Sequence, residues 1–119
     1  MVIDEDFSFG DYRNYKHVSE GTRMLRQNVR RLAEQWSSFD SVEDLQEIDP
    51  YYIAYERDIR GGKPQRITIV IRTVGSNYEI ELPSGSIIGM GAGGKAQAVI
   101  RNSRGNRWMF EYFLNQYED

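Results

Sequence analysis

The chain has 119 residues and a mass of 13.9 kDa, the size of one ordinary domain and too little for two. Hydrophobic residues make 39% and charged residues 28%, a balance that folds, while a net charge of −3 argues against wrapping long DNA or RNA. With no cysteine and a single histidine, disulfides, thiolate metal sites, cysteine nucleophiles and histidine pairs within one chain are excluded.

Residues 1–17 read as an acidic and aromatic arm, with Phe7, Phe9, Tyr12 and Tyr15 set among Asp, Ser and Gly. Its first six residues lack the basic start and apolar stretch of a signal peptide, and no apolar run in the chain reaches a membrane span. The expectation is a cytoplasmic protein with no membrane partner.

Residues 18–119 read as one α+β domain. Val18, Thr22, Leu25, Val29, Leu32 and Trp36 are spaced 4, 3, 4, 3 and 4, which lays one apolar stripe along a helix over 18–38. Packing on a sheet or pairing across a dimer would each use that stripe. Ser41 and Asp44 form a capping pattern for a short helix over 41–48, ended by Asp49-Pro50. From Tyr51 the period becomes two. Tyr51, Ile53, Tyr55 and Ile59 alternate, then Ile67, Ile69 and Ile71, then Tyr78, Ile80 and Leu82. Gly61-Gly62 with Pro64, and Gly75-Ser76-Asn77, read as the reversals of an antiparallel meander. After Pro83-Ser84-Gly85, Ile87-Ile88 leads into a glycine-dense stretch, and residues 96–101 suit a strand. Residues 107–114 read as an aromatic last strand, favoured over a helix by length and β-rich composition. Helices first and strands afterwards give an amphipathic helix, with a short second one, packed on an antiparallel sheet.

Three signals bear on chemistry. The segment Gly89-Met90-Gly91-Ala92-Gly93-Gly94-Lys95-Ala96 is rich in glycine, and glycine lets backbone N–H groups converge on an anion. Gly89, four residues and Gly94-Lys95 have P-loop spacing. Ala96 replaces the hydroxyl that would hold Mg²⁺, and too few strands follow, so a P-loop NTPase is rejected. What survives is a mobile, cation-tipped glycine loop. Arginine is the second signal: twelve Arg stand against three Lys. Arg23, Arg26 and Arg30 share a helix face, whereas Arg57, Arg101 and Arg107 fall in the β half, where a planar fork suits phosphate. Eight Tyr, five Phe and two Trp are the third, and Tyr52 and Trp108 are candidates to stack a base.

Catalytic sets are poor. Glu79 and Glu81 share one strand face, the solvent face by alternation; His17 has no serine partner; Asp4, Glu5 and Asp6 make a loose metal site. The expectation is therefore a non-enzyme that needs no cofactor or metal. It binds or sequesters a nucleotide or another phosphorylated small molecule through Gly89, Gly91, Gly93, Gly94 and Lys95, with Arg57, Arg101, Arg107, Tyr52 and Trp108. The alternative is a small bacterial or viral interaction module, an assembly factor or inhibitor without a small ligand. Both readings expect a homo-oligomer.

Overall fold

The structure is a computed structural model that describes residues 20–58, 61–91 and 94–117. The N-terminal arm, with Val18 at the head of the stripe, lies outside the described residues, as does Gly93. Helix α1 runs Glu20–Ser37 and buries Leu25, Val29 and Trp36. Its last carbonyls are closed by Ser37 and Ser38, whose hydroxyls donate to Glu34 O at 3.0 Å and Gln35 O at 2.6 Å. The buried Phe39 sets its ring 5.3 Å from that of Trp36 just past the helix end.

Helix α2, Val42–Gln46, starts at Ser41, whose side chain accepts the Asp44 N–H. The Asp44 carboxylate in turn accepts the N–H of Asp40 at 3.0 Å. That bond, ahead of the Ser41 contacts, holds the Asp44 carboxyl below its usual range.

Five strands follow: β1 (Tyr52–Asp58), β2 (Gly61–Thr73), β3 (Ser76–Leu82), β4 (Ser86–Gly91) and β5 (Gly94–Val99). They form one antiparallel meander in the order β1-β2-β3-β4-β5. Two reversals differ from the sequence reading. The first comes before Gly61, so that Gly61, Gly62 and Pro64 lie inside the long β2. There the β1–β2 register shifts between Glu56 and Asp58, and such an irregularity tolerates a proline that cannot donate to a ladder. The second is the pair Val74-Gly75, with Gly75 at φ 82°, and Ser76 and Asn77 already belong to β3. The turn after β3 contains a cis Leu82–Pro83 bond and Gly85 at φ 84°.

Residues 107–114, read as a strand, belong instead to helix α3, Ser103–Tyr117. Asn106, Met109, Phe110, Phe113 and Leu114 are its buried side chains, and their spacing is helical rather than alternating. The aromatic composition hid that period. The start is fixed by Asn102, whose Oδ1 accepts the Gly105 N–H at 3.0 Å while its Nδ2 donates to Ser37 O at 3.1 Å. One side chain thus caps α3 and ties it to the end of α1.

Both long helices lie on one face of the sheet. That inner face carries Ile53, Tyr55, Ile67, Ile69, Tyr78, Ile80, Leu82 and Ile87, which with Ala96 and the residues buried on α1 and α3 form one core. Helix α1 packs on β4 and β5, and α3 on β2 and β3. The architecture is α+β, a helical layer on an antiparallel meander. Among the described residues no helix is long and apolar enough to cross a membrane.

Candidate functional site

The glycine-rich segment is a hairpin of the sheet. Gly89 pairs with Tyr78 on one side and Ala96 on the other; Gly91 pairs with Ser76 and Gly94. Their backbone groups belong to ladders. The missing side chains are explained from above. A Cβ at Gly89 would stand 2.8 Å from Val29 Cγ1 and 2.9 Å from the Tyr78 ring, and one at Gly91 would stand 2.9 Å from Gly75 O. Small residues at Gly89, Gly91, Ala96 and Ala98 let α1 settle on this side of the sheet. Gly94 has φ 125° and begins β5 beneath Thr22.

The remaining candidates are dispersed. Lys95 is exposed on the face opposite the helices, across from Met90. Tyr52 stands on that same outer face but at the other edge of the sheet, 51% exposed. Arg57 falls within β1. Arg107 and Trp108 lie on α3, on the inner side; Arg107 sits 5.6 Å from the Phe110 ring, and Trp108 packs against the core. Tyr52 and Trp108 are therefore on opposite sides of the sheet. Arg101 follows β5 and shares a surface cavity of about 380 Å³ with Arg30, Ala33, Glu34, Ser37, Ala98 and Val99. Arg30, placed among the solvated helix arginines from sequence, is thus set beside the candidate Arg101. Arg30, Glu34 and Arg101 form no ion pair among the described residues.

The outer face was not singled out from sequence, and its composition is unusual. Cross-strand register gives the row Tyr52, Val70, Glu79, Ile88, Gln97 and, beside it, Arg72, Asn77, Met90, Lys95. Val70 is only 4% exposed although it faces away from α1 and α3 and stands outside the core that they cover. Arg72 places its guanidinium 3.9 Å from the centre of the Tyr51 ring, and Tyr51 packs 5.6 Å from Tyr52. Arg72 also donates from Nε to Asn77 Oδ1 at 3.0 Å. The sequence did hold a signal for this patch. Val70 and Ile88 break the alternation by placing apolar side chains at positions that a solvated face leaves polar.

The other end of the outer face is charged. Arg66 lies between Glu56 and Glu81, 3.2 Å from the latter; hydrogen bonding and charge from Glu56, then the charge of Glu81, raise its pKa further. Glu81 is therefore an ion-pair partner, and Glu79 stands in the apolar row two residues away. On the inner face, burial pushes the Tyr55 phenol up, and its hydroxyl donates to Phe113 O at 3.4 Å. Among the described residues no group of three or more His, Asp or Glu is placed to hold a metal. No family model matches the chain, and comparison with curated proteins and with solved structures finds no match.

Proposed function

We propose that this chain is a non-catalytic protein-interaction module that recognises its partner through the outer face of the sheet, at the end where Tyr51, Tyr52, Arg72, Ile88 and Met90 surround the buried Val70. One observation carries the reading: β1, β2 and β4 each place apolar side chains on the face that neither long helix covers, with Glu79 and Asn77 of β3 between them. Exposed Tyr beside Arg and Met is the composition found at the centres of protein interfaces. Arg72 and Lys95 at the same end favour a partner that offers carboxylates around an apolar contact. A nucleotide reading has less support from this arrangement. Gly89, Gly91 and Gly94 lie under α1 in paired strands, Arg101 and Arg107 belong to different elements, and Tyr52 and Trp108 stand on opposite faces of the sheet.

The test uses the chain and its Met90→Asp variant as immobilised baits in an extract of the native cell. The expected outcome is a partner held by the parent chain and lost by the variant, with equal melting temperatures. In parallel, nucleotides, cyclic dinucleotides and inorganic phosphate should leave the melting temperature unchanged. A ligand at a hundred times its dissociation constant adds about 2.7 kcal/mol of stability, so a nucleotide that raised the midpoint would overturn the reading. Equal capture by both baits would overturn it too.

A further inference from the structure

The edge strand β5 and the neighbouring side of α1 form a second surface, independent of the outer-face reading. We propose that a second copy of this chain pairs there. The two β5 strands run antiparallel about Gln97, making one ten-stranded sheet, and Arg30 of each copy meets the partner's Glu34.

The backbone sets the register. Ile100 donates its N–H to Gly85 O at 2.8 Å, so this position points toward β4. Antiparallel alternation then turns Ala98, Ala96 and Gly94 toward β4 as well, and leaves the N–H and C=O groups of Lys95, Gln97 and Val99 at the free edge. None of these three has a further backbone partner among the described residues. A two-fold axis at Gln97 pairs Gln97 with its own copy and sets Lys95 opposite the partner's Val99. No like charges face each other in this register, and Val99, 49% exposed alone, gains a neighbour. The opposite edge is less suited, because β1 carries the register shift between Glu56 and Asp58, an irregularity that interrupts edge pairing.

The helices fit the same axis. Val29 lies over Gly89 of β4 and Thr22 over Gly94 of β5, so α1 straddles these two strands. Strands spaced about 4.8 Å apart would then set the two α1 axes roughly 10 Å apart, the distance at which helices pack. Arg30, Ala33, Glu34 and Ser37 are spaced as one helical stripe and line the cavity beside the edge. Val29 stands over the Gly89–Ala96 row, and Ala33 and Ser37 share the cavity with Ala98 and Val99, so residues 30–34 are level with Gln97. Antiparallel helices crossing there place each unpaired Arg30 against the unpaired Glu34 of the other copy. Half-buried Ala33 between them allows the approach. A face that carries both charges one turn apart is self-complementary, as a two-fold interface requires.

Sedimentation equilibrium on the full chain is expected to show a species of twice 13.9 kDa at micromolar protein. Gln97→Pro removes an N–H that its own sheet does not use, a change tolerated on an edge strand, and should weaken the dimer at least tenfold. Glu34→Arg should do the same, and Arg30→Glu combined with Glu34→Arg should restore it. Met90→Asp, on the outer face, should leave the dimer unchanged and so separates the two surfaces. Hydrogen exchange on the parent chain gives a reading independent of whether the variants fold: the Gln97 amide should be protected in concentrated protein and exchange fast when dilute. A mass of 13.9 kDa throughout, a dimer insensitive to either variant, or fast Gln97 exchange at all concentrations would overturn the arrangement.

Discussion

Trp36 and Gly89 show how single residues hold this fold. Trp36 is fully buried, and its indole N–H has no hydrogen-bond partner among the described residues. Trp36→Ala should cost about 3–5 kcal/mol in a urea titration, from lost burial and the cavity left behind. Trp36→Phe should cost clearly less, since it keeps an aromatic ring and removes a buried donor that has nothing to bond. Gly89→Ala should destabilise by about 1–3 kcal/mol, because its Cβ would be forced against Val29 and Tyr78. A flexible loop would respond in the opposite sense, since Gly→Ala there stabilises by restricting the unfolded chain. Denaturant midpoints of this one variant therefore separate a packed hairpin from a loop.

At the scale of elements, Asn102 and Asp44 mark where local chemistry fixes a boundary. Asn102→Ala removes the cap of α3 and the bond to the last turn of α1 together. It should lower the urea midpoint by the equivalent of about 1–2 kcal/mol, with α3 amides near Gly105 exchanging faster. The Asp44 carboxyl titrates lower in the folded chain than in the unfolded one. Its contribution is therefore present above the ordinary carboxylate pKa and disappears as pH falls through the lowered value. Asp44→Asn should reduce the acid dependence of the α2 amides and leave the neutral-pH sheet unaffected, as followed by amide chemical shifts.

Much of this organisation was legible in the order of residues. The stripe through Leu25, Val29 and Trp36 and the alternation through Ile67, Ile69 and Ile80 each carry one strong period, and each forms the element that its period implies. Helix α3 was not legible. Its buried hydrophobic residues come as the adjacent pairs Met109-Phe110 and Phe113-Leu114, which match either period over a short window, and their β-rich composition favours a strand. The glycine segment is ambiguous for a different reason. Glycine serves both a backbone cradle and a close helix approach, and only the position of Val29 above Gly89 distinguishes them.

Across the whole molecule, the sheet separates two faces of different composition. The inner face, shaped from large side chains on β1–β3 and Ile87 to Gly89 and Gly91 of β4 and Ala96 and Ala98 of β5, accommodates α3 at one side and α1 at the other. The outer face keeps Val70, Ile88 and Met90 beside Tyr51, Tyr52 and Arg72, and these positions should tolerate change with little loss of stability where exposed. Tyr52→Ala, half exposed, should shift the urea midpoint by no more than about 0.5 kcal/mol while weakening partner capture. Gly89, Gly91 and Gly94 belong to the packed sheet, and the recognition proposed above uses the outer face instead. Native-state hydrogen exchange on the chain alone tests that placement most directly, at the amides of Gly89, Met90 and Ala96. Protection close to that of Ile69 and Ile80 in the core strands is expected. Exchange at rates typical of a mobile loop, slowed only when a nucleotide is added, would contradict it.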